Sequence, residues 1–568
     1  MKKILAALLA GCMAAVSLAA CNTYTDNSSS SAPSSQGGSS SENSGSESSS
    51  APAEPMSFTF IGGNPVTLNP ILSQSTDDGN SFYLLQSSLF RYYDDQVQNE
   101  LCESYDISDD ELTYTFHLRD AVWSDGEPIT AEQFAYAIQC YTSPDMGSPA
   151  ASNFDNVVGA IDFNEGNGSW EEVGVKALDE KTLEITLIQP EQSFILGMAT
   201  SPPYPLRQDF VEAQGEKLGS SPEAMQFSGP YVLDDWKLDS SLTFKKNENY
   251  WNAENAFPVE TITLLKVDDA NTSYSMFESG EVDALAGVSA QYYDALKEYV
   301  TTQSGGEGLM YLWINQNGLT SESSRVLANN NFRLALNYAL DRESTIAALS
   351  PTQIPYSRLL QPIYPGSSAD KIYTEEYPVE SAPLGGDAEK AKEYLAKALE
   401  ELEISDVSEL PQITFVTWDA DRQKVFCESL IDQWKQVLGI TSIQLNQYPI
   451  GTAIGNYMTN QYDIFAISIS AGITPVSCLE NFVTGGDYNT GIWASEEYDA
   501  LVKQIKTEKD DAKRCEMIQQ AEQILVSDSS VVPFYALSTT YATQPYVKGF
   551  GIGTLGSGFQ FDHLTVEK

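Results

Sequence analysis

Apolar and polar residues alternate along Ser57-Phe58-Thr59-Phe60-Ile61 and stop at Gly62-Gly63, which predicts a strand closed by a turn. The same two-residue period returns at Tyr114-Thr115-Phe116-His117-Leu118-Arg119, followed by the turn-forming Trp123-Ser124-Asp125-Gly126. Thr130 with Gln133 three residues on is a capping-box pattern, and Phe134, Ala137 and Ile138 place a helix behind it. Farther along, Ile413-Thr414-Phe415-Val416-Thr417-Trp418 reads as a short apolar strand. Phe426, Leu430, Trp434 and Leu438 then recur at helical spacing up to Gly439, and Ile443, Leu445 and Tyr462-Asp463-Ile464-Phe465-Ala466-Ile467 resume strand character. This β-α-β succession predicts a mostly parallel sheet covered by helices. Asp387 to Glu403 is a charged amphipathic pattern whose Glu393 and Lys397 form an i,i+4 pair on a solvated face.

The first 55 residues follow neither period. Lys2 and Lys3 precede a short, Ala-rich apolar run from Ile4 that ends in Leu18-Ala19-Ala20, the layout of a secretory signal peptide over residues 1–20. Cys21, directly after it, resembles the acylated cysteine of the bacterial lipobox. The resemblance implies an exported protein held by lipid on Cys21 at the outer face of the cell membrane. Residues 21–55 are mostly Ser with Gly, Ala, Pro, Glu and Asn, too poor in apolar surface to offset the entropy of ordering. As a flexible leash of about 35 residues they would span roughly 30–35 Å. No later apolar run approaches the roughly 20 residues of a membrane helix.

About 510 residues remain, enough for two or more domains with substantial cores. Their charge narrows the possible partners: 31 Lys and Arg against 79 Asp and Glu leave a net charge of −48, which repels phosphate backbones and excludes nucleic acid. Cys102, Cys140, Cys427, Cys478 and Cys515 are odd in number and lack C-x-x-C spacing, so buried free thiols are expected rather than a disulfide or zinc framework. Catalytic signatures are missing. His117 and His563 are the only histidines, and there is neither an H-E-x-x-H nor a G-x-S-x-G. Gly551-Ile552-Gly553-Thr554-Leu555-Gly556 matches the glycine spacing of a dinucleotide loop. However, the following Gly558-Phe559-Gln560-Phe561 is not helical in pattern, and no acidic residue can follow at the required distance. Asp419-Ala420-Asp421 lacks the Gly and closing Glu of a calcium loop. No enzyme activity, cofactor or metal is expected.

Tyr114 to Arg119, with Trp123-Ser124-Asp125-Gly126-Glu127-Pro128-Ile129-Thr130-Ala131-Glu132, resembles the signature of the extracytoplasmic peptide-binding proteins of ABC importers. Further matches come in the family's order: Leu68-Asn69-Pro70, Gly229-Pro230-Tyr231, Asn247 with Tyr250-Trp251, and Phe277 to Asp283. Arg333 to Arg342, Glu497 to Leu501 and Val531-Val532-Pro533 complete the series. Gly174 to Asp179 and Ser148-Pro149 favour the oligopeptide binders over the dipeptide, nickel or sugar binders.

The resemblance implies an α/β, two-lobe clam-shell with an extra inserted domain and mixed sheets covered by helices. Lobe I would comprise residues 56–90, 206–312 and 538–568, the inserted domain 91–205, and lobe II 313–537. The protein would be a monomer that captures an extended oligopeptide between its lobes and hands it to the permease of an ABC importer. A receptor for another solute, such as an oligosaccharide or peptide signal, is the alternative, and a surface peptidase or esterase a remoter one.

Carried over residue by residue, the resemblance implies ligand contacts at Gln74, Ser75 and Thr76 in lobe I. It implies others at Asn315, Trp418, Arg422, Tyr448, Ser470 and Gly472. One departure stands out. Where oligopeptide binders commonly carry an Asp for the peptide's α-ammonium, this chain has Gly472, with a residue deleted beside it, and Ala150 stands where a Tyr is common. Peptides would then be bound without a grip on the free N-terminus, unless Asp77, Asp78 or another acid takes the role.

Overall fold

The alternating stretch Ser57–Ile61 is strand β1, with Phe58 and Phe60 turned into one apolar cluster and Ile61 into another. The structure, a computed structural model, describes residues 56–568 except 74, 192, 254–256, 350–351, 365, 368–370, 470–471, 473, 487 and 556–557. The expected signal peptide, Cys21 and the expected Ser-rich leash lie outside the described residues. After β1 the chain forms helix α1 (Thr76–Leu85), whose Ser75 and Asp78 make a reciprocal capping box.

A separate antiparallel sheet follows, built from β2 (Cys102–Ile107), β3 (Thr113–Leu118), β4 (Val175–Asp179) and β5 (Thr182–Thr186) in the order β2–β3–β5–β4. Helix α2 (Ala131–Thr142), which starts at the expected Thr130, covers one face. Gln133 there accepts from the Thr130 amide at 3.3 Å and from the Trp123 indole at 3.0 Å. Tyr114, Phe116 and Leu118 point inward to Phe134, Ala137 and Ile138, so the period-2 and helical patterns of the sequence meet in one core.

The chain then returns to the sheet of β1 with β6 (Tyr231–Lys237), β7 (Ser241–Lys246), β8 (Thr261–Leu265) and β9 (Ala284–Leu285). Strand β10 (Val300–Ile314) leads out of that half into the other. There, helix α3 (Ala388–Glu401) and the predicted β-α-β unit follow: β11 (Ile413–Trp418), helix α4 (Asp421–Leu438) ended by Gly439 at φ 73°, and β12 (Ile443–Tyr448). Strand β13 (Ile464–Ile469), helix α5 (Pro475–Glu480) and helix α6 (Asp511–Asp528) precede β14 (Val531–Thr543), which returns to the first half. The main sheet runs β12–β11–β13–β10–β14–β9–β1–β8–β7–β6, with Ile354-Pro355 added beside β14. The Gly-rich segment near the C-terminus is a hairpin, Gly551-Ile552 against Phe559-Gln560, and so has no strand–turn–helix to hold a dinucleotide.

Two strands join the halves into lobes. Val300 to Ser304 of β10 pairs with Ala542 to Ser538 of β14 in lobe I, and Leu309 to Trp313 pairs with Ala536 to Val531 in lobe II. Between them the register shifts. In lobe II the central strands are apolar on both faces. Leu309, Tyr311 and Trp313 enter one cluster, and Met310, Leu312 and Ile314 the cluster on the opposite face. Each large side chain so buried contributes roughly 1.5–3 kcal/mol, so the lobe II sheet is held from both faces. The five described cysteines are free and buried, as expected. Among the described residues no helix is long and apolar enough to cross a membrane.

Candidate ligand-binding cleft

Strand direction fixes where the lobes face one another. β14 runs from lobe II into lobe I; β9 is antiparallel to it, and β1 and β8 run with β9, so these three end at the seam between the lobes. In lobe II, β13 is antiparallel to β10, and β11 and β12 run with β13, so they end at the same seam. The carboxyl ends of parallel strands from both lobes thus converge, the usual place for a ligand in an open α/β sheet.

On the lobe I side, Gly62-Gly63 ends β1 and a loop leads to α1. Asp78 organises that loop from within. It is fully buried and accepts from the amides of Val66 (2.6 Å), Thr67 (3.0 Å) and Ser75 (3.3 Å) and from the Ser73 hydroxyl (3.3 Å). Ser75 is spent as the N-cap, accepting from the Asp78 amide at 3.1 Å, while Thr76 is exposed. The half-buried Asp77 lies against Gly63, where a Cβ would come within 2.1 Å of both its carboxylate oxygens. Burial first, and then the charge of Asp78, push the Asp77 carboxyl up to about 6.

On the lobe II side, Trp418 and Tyr448 are register partners at the ends of β11 and β12, both half-buried. Arg422 stands exposed in the first turn of α4. Burial raises the Tyr535 phenol to about 12, and the neighbouring Arg422 guanidinium pulls the other way. After β13, Gly472 adopts φ 77°, and its carbonyl accepts from the Tyr364 hydroxyl at 3.0 Å. A Cβ at 472 would lie 2.7 Å from Ser477 Oγ and 3.1 Å from the Cys478 amide nitrogen. Glycine is therefore required there by backbone conformation and space, and a carboxylate cannot be added at that position without strain. The loop bearing Tyr364 is pinned by the fully buried Glu522, which accepts from Arg358 at 2.6 Å and from the Leu359 and Leu360 amides at 3.2 Å.

Of the expected contacts, the structure gathers Ser75, Thr76, Trp418, Arg422, Tyr448 and Gly472 around the seam. Gln74 and Ser470 lie outside the described residues. Asn315 does not join them. It follows the far end of β10, beyond the Ile314–Ile464 pair, and is buried with its amide nitrogen donating to Tyr462 O at 3.0 Å and its oxygen accepting from the Asn317 amide. Its role is to close a turn; the strand end that it follows is the one away from the cleft. Tyr364 and Tyr535 were not among the expected contacts, and Asp77 was named only as an alternative acid for the peptide's ammonium. The first two are long-range neighbours that no local pattern marks, and Asp77 was visible only as one of two adjacent acids.

The family of bacterial extracellular solute-binding proteins, family 5 (middle), matches residues 96–490. The dipeptide-binding protein DppE of Bacillus subtilis (strain 168) is 28% identical over 463 residues, covering 80% of this chain and 82% of that protein. The oligopeptide-binding protein OppA of the same organism is 28% identical over 495 residues, covering 85% and 88%. Among solved structures, the substrate-binding domain of an oligopeptide ABC transporter from Bacillus anthracis superposes with a TM-score of 0.66 at 25% identity, covering 91% of this chain and 99% of that one.

Proposed function

The chain belongs to family 5 of the bacterial extracellular solute-binding proteins, and from that premise we propose that it captures oligopeptides between its lobes and delivers them to the permease of an ABC importer. The observation that supports this reading is the convergence of six parallel-strand ends on one seam, with Trp418 and Tyr448 side by side at two of them on lobe II. Aromatic faces accept varied side chains, and polar strand ends and water can meet the N–H and C=O groups that all peptides share. Binding between two lobes favours the closed arrangement, which is the state a permease can distinguish from the empty one.

Residues 56–90, 206–308 and 538–568 serve in this reading as lobe I, 309–537 as lobe II, and 91–205 as the inserted domain; the expected break after 312 moves back because Leu309 to Leu312 already pair within lobe II. The expected lipid on Cys21 would hold the molecule at the outer membrane face as a monomer, with no chemistry performed on the ligand. Native mass spectrometry of the freshly purified mature protein tests the reading. Co-purified peptides at up to one per protein are expected, together with no turnover of fluorogenic peptides or esters. Steady hydrolysis, or a non-peptide ligand in every preparation, would overturn it.

A further inference from the structure

We propose that Asp77 supplies the anionic contact of the cleft, receiving a primary ammonium group of the bound peptide from lobe I. The inference rests on the peptide-binding reading above and specifies which chemical group the site selects. Three observations carry it.

The first is place. The carboxylate lies over the carboxyl end of β1, against Gly63, at the seam where the strand ends of the two lobes meet. Gly63 has no left-handed backbone angle that would call for glycine; its missing side chain leaves the space that the carboxylate fills.

The second is the lack of a partner. Asp78 beside it and other buried acids elsewhere in the molecule are paired. Asp78 has four donors, and Asp283 accepts from the Thr59 amide, the Tyr546 hydroxyl and Lys568. Glu100 receives Arg91, and Glu522 receives Arg358. Among the described residues no hydrogen bond or ion pair reaches the Asp77 carboxylate. A half-buried carboxylate held without a counter-charge is costly, and the cost is recovered when a ligand supplies the cation.

The third is exclusion of the alternatives. Asp78 has its oxygens committed to the loop, and position 472 has neither the backbone angle nor the space for a carboxylate. The capping box and the Asp78 bonds hold the turn, so Asp77 is presented on a fixed support.

The test is a competition on the mature protein. Random tri- to hexapeptides, each present free and N-acetylated, with and without lysine, are captured by wild type, Asp77→Asn and Gly63→Ala, and the bound set is read by mass spectrometry. Wild type should enrich peptides with a free ammonium over those without by about 10- to 100-fold, the range of a charge-assisted hydrogen bond. Asp77→Asn should reduce that ratio to about threefold or less while still binding acetylated peptides. Gly63→Ala keeps the charge but displaces the carboxylate, and should reduce the ratio as well, which leaves the assignment open to refutation should the Asn variant fold poorly. A penalty that follows acetylation identifies the α-ammonium as the source; one that follows loss of lysine identifies a side chain. An equal ratio in wild type and Asp77→Asn, or no preference in wild type, would overturn the assignment to Asp77. Capture of no peptide of any kind by wild type would instead overturn the peptide-binding reading itself.

Discussion

Tyr364 donates its hydroxyl to the carbonyl of Gly472 at 3.0 Å, tying the loop after Arg358 to the turn that follows β13. The bond holds that turn in the left-handed geometry that only glycine adopts without cost. Gly472→Ala should therefore destabilise the protein by about 1–2 kcal/mol, through strain at φ 77° and the contact with Ser477. Tyr364→Phe should cost a similar amount, about 1–2 kcal/mol, by leaving a carbonyl short of its donor. Urea unfolding of the mature protein measures both. A Gly472→Ala variant as stable as wild type would show that the turn relaxes freely.

The Arg358–Glu522 pair should be the most sensitive point of lobe II. Glu522 is fully buried and its oxygens serve both the guanidinium and two backbone amides. Arg358→Met removes the charge opposite it and should cost roughly 3–5 kcal/mol. Thermal unfolding should show a clear loss in Tm, whereas a drop within the error of the measurement would mean that Glu522 is held by the amides alone.

Asp77 should give ligand-free stability a measurable pH dependence. Its folded-state carboxyl is raised to about 6 from an ordinary value of 3.8. The stabilising contribution of its protonated form is complete below the unfolded value and disappears as pH rises through the folded one. Asp77→Asn, which carries no charge, should then equal wild type near pH 3.5 and exceed it near pH 7.5 by on the order of 1–2 kcal/mol, allowing for partial exposure. Denaturation curves at the two pH values measure this difference. A variant less stable than wild type at neutral pH would contradict it.

Lys509 of lobe II bonds Glu111 in the β2–β3 turn at 2.7 Å and so links two parts of the clam-shell that are 398 residues apart. Both side chains are exposed, so the pair contributes no more than about 1 kcal/mol and weakens with salt. Glu111→Lys should expand the ligand-free protein slightly in small-angle scattering at low ionic strength. The double exchange Glu111→Lys with Lys509→Glu should reverse it. Profiles that do not change across the set would show that the pair does not hold the two parts together.

Cys21→Ala should release the protein from membranes or leave its precursor uncut, as read by fractionation of expressing cells. Retention identical to wild type would exclude the lipid.

What could be read in the sequence is what local spacing encodes. Thr130 with Gln133 marked the start of α2, and Phe426 to Leu438 marked α4 between two parallel strands, because capping and amphipathic periods need no distant partner. The order of the main sheet depends on pairings such as Phe60 with Ala284 and Ala284 with Thr543, which join segments that no local pattern connects. The cleft shows the same limit. Trp418 and Tyr448 end strands whose direction was legible, so their place followed. Asn315 also ends a strand, but one running the other way, which put it at the opposite edge of lobe II. At Gly472 the sequence showed a missing charge, and only the backbone showed why a side chain is absent.

Where β10 and β14 pass from one lobe to the other, their ladder slips between Ser304 and Leu309. Compliance is thus written into a few backbone pairings at the seam itself, where Leu309 also pairs with Ile469 just before the Gly472 turn. Apparent affinity scales with the fraction of empty molecules already poised to receive a ligand. A single inserted or deleted residue in that short stretch would reset the resting angle between the lobes, and with it the strength of capture. In the proposed reading, evolution can in this way retune the strength of capture without changing the side chains that touch the ligand.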